Sequence, residues 1–536
     1  MGTEVRSTLF LVRTGFSQRC AAGIAVLLVA ASLPGSQVAK RPQVNSAARA
    51  HLRAGQQALE KHNLREAKAQ LESALKADPN LAEAHLALGI VEFQAGDNAR
   101  AIDHYRRAIA LQTNAFSAHY NLALAYLREK DLFHGLHELE RAAALNPRHA
   151  DAAYNLGLVL LELGRPAEAM ACLRRATALG PDRPDLAFNR VRAELAAHET
   201  EVARREAESA AKAFGNDAEW RLAVGSLFLE RDQATDAATH LAEAFRLQPD
   251  SSEVRRKLAM ARLEAHDPEG AITVLVSPTS AEDHYVLGSA HFLLRHLAEA
   301  DQESRRAVEQ EPLEPRYLLL RARIEQRLGE HATALEMLRR VSELAPTWSE
   351  PHYSAGVSYY LQRRYAEARS SLEKALELDP RSTRALFLYA ATLVNEGKNG
   401  EGEEYMRRAI TLEPSNARFQ YHLGALLLRD KRPLEARQAL ERSIQLKPDF
   451  APPHYQLGKL LARAGQPKLA ARELETAVRH QPDLAEAYYQ LSRVYASIGK
   501  EEESRHALAT FNQLKMETAD ESAEFAEEVR KQLELQ

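Results

Sequence analysis

Arg316, Arg323 and Arg327 stand seven and four residues apart, which puts three guanidinium groups on one side of a helix. Each offers two parallel N–H donors, so the three together suit the grip of carboxylates. Asn121, Asn155 and Asn189 recur every 34 residues, and carboxamides in register present a donor and an acceptor to the backbone of an extended peptide. His134 and His137 lie one helical turn apart with Glu138 adjacent, a spacing at which two imidazoles can share a metal, although a solvated pair is the preferred reading. Motifs for bond-making are missing from the sequence: there is no HExxH, no CxxC and no glycine-flanked serine. Gly397-Lys398-Asn399-Gly400-Glu401-Gly402 lacks the Lys-Ser/Thr of a phosphate loop and reads as a turn. The chemistry on offer is recognition. No catalytic residue, metal site or cofactor is expected.

The elements that position these residues follow from composition and period. A chain of 536 residues exceeds a single compact core, so several domains or a repeat array is expected. Glycine is sparse and Ala, Leu, Glu and Arg dominate, which favours helix throughout. Net charge is -4 with acids and bases interspersed, so no overall field draws the chain to nucleic acid or lipid. The cysteines are Cys20 and Cys172; the first falls in a targeting segment, leaving one thiol, a small buried hydrophobe, and no internal disulfide.

Residues 1–39 read as a signal peptide or short membrane anchor. Arg6, Arg13 and Arg19 precede the apolar run Cys20–Leu33, which is short for a bilayer span but suits the centre of a secretory signal. Residues 40–47 read as a linker. The chain is therefore expected to be exported, periplasmic or anchored facing the outside of a bacterial cell, with membrane contact only through this segment.

From there a 34-residue period runs the length of the chain. Pro79, Pro147, Pro181, Pro249, Pro312, Pro346, Pro380, Pro414, Pro448 and Pro482 hold it, with Thr113 and Gly215 in two vacant slots. Proline ends a helix because it lacks the N–H for the ladder and restricts the residue before it. Ten residues after these anchors come Gly89, Gly157, Gly225, Gly288, Gly356, Gly424 and Gly458, and alanines follow at fixed offsets, as close helix packing requires. Pro166, Pro268, Pro433 and Pro467 mark the first turn of a second helix, where a missing N–H costs nothing. Between Pro249 and Pro278 the step is 29 residues, so the unit at 252–280 has lost five, and a junction is expected there.

This pattern resembles the tetratricopeptide repeat, with its helix–turn–helix unit and its Gly/Ala, Ala, Ala and Pro signature residues. The resemblance implies an all-α, right-handed α-solenoid of about fourteen units. Repeats 1–6 would occupy 48–251 and repeats 8–14 would occupy 281–518, with a capping helix at 519–536. His85, His119, His284, His352 and His454 stand where the family carries a large aromatic, which weakens individual units.

The resemblance also implies that first helices line a concave groove that binds ligands. Counting positions from the third residue after each anchor, position 5 is Tyr120, Tyr154, Tyr285, Tyr353, Tyr421 and Tyr455 among others. These rings either suit a peptide groove or are ordinary framework. Charges at positions 2, 9 and 13 are mostly acidic before Tyr285. Beyond it they are mostly basic, and include Arg316, Arg323, Arg384, Arg418 and Arg463. Such a surface either steers charged segments to opposite halves or is a solvated helix face. The asparagine row resembles the ladder in the tetratricopeptide part of the O-linked N-acetylglucosamine transferase. A non-catalytic scaffold binding protein or peptide segments, in assembly of an envelope or secretion complex, is the expected function. The alternatives are an accessory protein that contacts anionic polysaccharide and a substrate-recruiting arm for a separate glycosyltransferase.

Overall fold

The computed structural model describes residues 46–517 apart from Thr113, so the N-terminal targeting segment and the expected capping helix at 519–536 lie outside the described residues. Those residues form 28 helices, paired in antiparallel fashion into fourteen repeats. They fall into two compact units, the first ending at Leu275 and the second beginning at Val276, with seven helix pairs described in each.

Each unit is a solenoid of helical repeats. Within a unit the second helix of a pair packs on its own first helix and on the next one, and first helices also touch the first helix of the following repeat, as Ala82–Ala95 does with Phe116–Arg128. Second helices do not approach one another as closely. First helices therefore line the shorter, concave side of each unit.

The turn inside each repeat is set by one residue in the left-handed region. Gly96 has φ 89°, and the next N–H, of Asp97, bonds the Glu92 carbonyl at 2.9 Å, closing the helix end. Asp97 then caps the second helix by accepting from Arg100 N–H at 3.0 Å. Three of the second helices without such a cap start on proline instead, at Pro166, Pro433 and Pro467. All fourteen positive-φ residues among the described residues occupy this turn. They lie 34 apart throughout, except for the 29-residue step from His266 to Arg295.

Small residues let the two helices of a pair close up. A Cβ on Gly157 would lie 2.7 Å from Leu173 Cγ, and Gly356 faces Leu372 in the same way at 2.6 Å. The alanines at the fixed offsets, Ala101, Ala169, Ala368 and Ala470 among them, are fully buried. In the shortened repeat the second helix is Pro268–Val274, seven residues against fourteen in its neighbour Ala234–Leu247. Among the described residues no helix is long and apolar enough to cross a membrane.

Candidate functional site

The first helices carry the residues singled out by the repeat, and their rings lie deep. Tyr120, Tyr154, Tyr353, Tyr421 and Tyr455 are buried, and Tyr285 is half-buried against Tyr317 at 5.0 Å between ring centres. Burial pushes the Tyr120 and Tyr353 phenols up to about 12, so both stay protonated donors and acceptors at neutral pH. Tyr120 Oη accepts from Asn155 Nδ2 at 2.9 Å, and Tyr154 Oη accepts from Asn189 Nδ2 at 3.1 Å. Asn189 also donates to the Asp185 carbonyl, and Asn121 to that of Ser117. The same link, two helical turns further along the helix, joins Asn395 to Tyr360 Oη at 2.9 Å. Asn155, Asn189 and Asn395 thus stitch their first helices to the ones before them, whereas Asn121 bonds within its own helix.

Charges on the same helices sort into pairs. In the first unit Arg183 bonds both Asp151 at 3.1 Å and Asp185 at 2.9 Å, with its guanidinium 4.5 Å over the Tyr154 ring. Glu162 holds Arg192 at 2.7 Å. In the second unit Arg316, Arg323 and Arg327 share the helix Pro315–Leu328 but turn to separate partners. Arg316 bonds Glu314 at 2.9 Å, Arg327 lies 5.8 Å from the Phe292 ring centre, and Arg323 bonds Glu350. Glu350 also holds Arg384 at 2.8 Å, so one carboxylate ties together arginines from the repeats on either side of its own. Arg418 is half-buried and Arg463 is exposed.

The histidines have a role that the sequence reading missed. Five of them reach the second helix of their own repeat, 19 residues on. His119 Nδ1 meets Glu138 at 2.6 Å, His284 meets Glu303 at 2.5 Å, and His454 meets Glu473 at 2.7 Å. His51 meets Gln70 and His85 meets His104 at the same offset. Arg221 and His240 reverse the order, the guanidinium donating to His240 Nδ1 at 3.1 Å. A polar residue 19 positions after each histidine was the available signal. Of the candidate metal group, Glu138 is thereby engaged with His119 and His134 bonds Asp131 at 2.7 Å. Among the described residues no three metal-ligating side chains cluster. Cys172 is half-buried, and burial raises its thiol.

Helix pairs in a fixed register, closed by small residues and aligned along a concave face, define a helical-repeat scaffold. Family models of the tetratricopeptide repeat match residues 52–115, 135–184 and 392–449, residues 349–382, and residues 427–493. The chain belongs to the tetratricopeptide repeat proteins, whose repeats are scaffolds for protein–protein interaction. No curated protein matches the sequence. Solved structures similar to it include the APC/C hetero-tetramer Cut9-Hcn1, at 16% identity and a TM-score of 0.40 over 84% of this chain and 96% of that one. MamA protein is similar at 25% identity and a TM-score of 0.30, over 32% of this chain and 94% of that one. YrrB, described as a TPR protein with an unusual peptide-binding site, is similar at 22% identity and a TM-score of 0.31, over 35% and 98%.

Proposed function

We propose that this chain is a non-catalytic scaffold that holds protein or peptide segments along the first-helix face of each unit and gathers the components of an envelope or secretion complex. The observation that carries the reading is the continuity of helix pairs within each unit, which lays one first helix after another along the same face. Such a surface binds by many modest contacts along an extended or helical segment rather than by one deep pocket. The envelope setting rests on the apolar run Cys20–Leu33 behind Arg6, Arg13 and Arg19.

The test is site-specific photo-crosslinking in cells. A crosslinker at Arg192 or Arg463, on first helices, is expected to trap a defined protein partner, whereas one at Glu208, on a second helix, is not. Crosslinks confined to Glu208 would overturn the groove reading. Fusion of alkaline phosphatase after residue 45 is expected to give activity outside the cytoplasm. An inactive, cytoplasmic fusion would overturn the envelope setting.

A further inference from the structure

The cations of the second unit are sorted by helix. The first helices Thr383–Asn395, Ala417–Arg429, Ala451–Arg463 and Ala485–Ser497 carry Arg384, Arg418, Arg429, Lys459, Arg463 and Arg493 against one acid, Glu486. The second helices between them, Asn399–Leu412, Pro433–Leu446 and Pro467–His480, carry seven acids and seven lysines or arginines. On those helices charges pair locally, as Arg407 does with Glu403 and Arg437 with Glu441. The positive excess belongs to one face of the unit and not to its composition.

Four of these six cations stand apart from any acid: among the described residues Arg418, Arg429, Arg463 and Arg493 have no carboxylate within ion-pair distance, in contrast to Arg323 and Arg384 on their shared Glu350. Arg384 and Arg418 flank a cavity of about 140 Å³ between two first helices, floored by the stacked rings of Phe387 and Phe419. Glu413 in its wall is already held by Thr383 Oγ1 and Asn416 Nδ2. The space is of the size of one side chain, and two guanidinium groups border it.

The rings decide between ligand classes. A glycan site offers open aromatic faces for sugar stacking, but Phe387, Tyr421 and Tyr455 are buried and the Lys459 ammonium sits 4.8 Å over the Tyr455 ring. What the face presents over most of its length is cationic donors. First helices of adjacent repeats lie about 10 Å apart and an extended chain advances about 3.3 Å per residue. One carboxylate in roughly every three residues then meets each repeat in turn.

We propose that the first-helix face from Thr383 to Ser497 docks an extended acidic polypeptide segment with one carboxylate per repeat, anchored by an acidic side chain between Arg384 and Arg418. This rests on the scaffold reading and names the chemistry of the partner. The probe is a fluorescent peptide of about twelve residues with glutamate at every third position, titrated into the full chain and followed by anisotropy. Saturable binding is expected, weakening as salt is raised. It should fall about tenfold or more in Arg418→Glu/Arg463→Glu, and likewise in Arg429→Glu/Arg463→Glu, where both side chains are exposed. Arg442→Glu/Arg472→Glu, on second helices, should bind as the parent does. No binding by the parent, unchanged binding in both first-helix variants, or equal loss in the second-helix control would each overturn the proposal. Binding of heparin without binding of the peptide would overturn it in favour of a glycan. A chain that traps a protein partner in cells yet ignores the peptide sinks this inference and leaves the scaffold reading standing.

Discussion

Asn155 Nδ2 donates to Tyr120 Oη across 2.9 Å, joining first helices of successive repeats 35 residues apart in the chain. Asn189 repeats the bond to Tyr154, and Asn395 repeats it to Tyr360. Each link lies on the concave face and adds a directional contact to an interface otherwise made of apolar packing. A double-mutant cycle of Tyr120→Phe and Asn155→Ala, read by chemical unfolding, is expected to give a coupling of about 1 kcal/mol. Additive losses would mean the bond contributes nothing.

Two kinds of glycine should fail in different ways. A Cβ at Gly329 meets nothing within 4 Å, but the residue has φ 85°, so Gly329→Ala is expected to cost roughly 1 kcal/mol through the backbone alone. Gly157→Ala drives a methyl to 2.7 Å from Leu173 Cγ and should cost roughly 1–3 kcal/mol. Pairing it with Leu173→Ala should recover part of the overpacking loss, while no partner change recovers Gly329→Ala. Thermal unfolding of the two series separates the mechanisms.

His240 makes stability depend on acid. Burial, aided by the Arg221 guanidinium, lowers it from 6.5 to about 4, so it is neutral in the folded state at neutral pH. A folded-state pKa below the unfolded one contributes stability above pH 6.5, and that contribution is lost as pH falls from 6.5 through about 4, by roughly 3 kcal/mol in all. His240→Gln should flatten the fall in Tm across this window. An unchanged pH profile would show that His240 is charged in the native protein.

His454 works in the opposite direction. Burial depresses it, but Glu473 and the Pro448 carbonyl more than offset this, and the net shift is upward. Both ring nitrogens face acceptors, at 2.7 and 3.0 Å, so the imidazolium is the bonded form. A raised pKa contributes stability that is fully present below about 6.5 and lost as pH rises through the folded value. The His454 ring signals in NMR should therefore titrate above those of a free histidine, and Glu473→Gln should bring them down.

The shortened repeat should open first within its unit. Pro268–Val274 buries Ala271 and Val274 along with its cap Leu275, whereas Ala234–Leu247 buries Ala237, His240, Leu241 and Ala244 over twice the length. Hydrogen exchange is expected to be faster in 268–274 than in any other second helix of the first unit. Equal protection would show that its contacts compensate for its length.

The fold was legible in the sequence because its signals are local and repeated. Pro166, Pro433 and Pro467 do open second helices, and Gly157 does face a leucine on its paired helix. The candidate site was harder to read because its side chains answer to residues one repeat away. The carboxamides of Asn155 and Asn189, read for a peptide backbone, donate to tyrosines of the preceding repeat. Glu350, an acid among mostly basic positions, is the carboxylate that Arg323 and Arg384 share. The histidines seemed to weaken their units because a 34-residue register compares like positions across repeats and does not show pairs 19 apart within one.

The left-handed turn residues keep their register through the whole described chain and skip only between His266 and Arg295. The deletion therefore falls between two intact left-handed turns: the second helix is shortened to Pro268–Val274, and a longer connection over 275–280 leads to the next repeat. A block running from one turn residue to the next, such as 364–397, begins and ends at the same phase of the same bend. Excising it would splice Arg363 to Lys398 and rejoin equivalent backbone to equivalent backbone, so the array can be shortened by whole blocks while each remaining block still meets a neighbour of the same shape. Length, and with it the number of attachment points, is an adjustable property of this molecule in steps of one repeat.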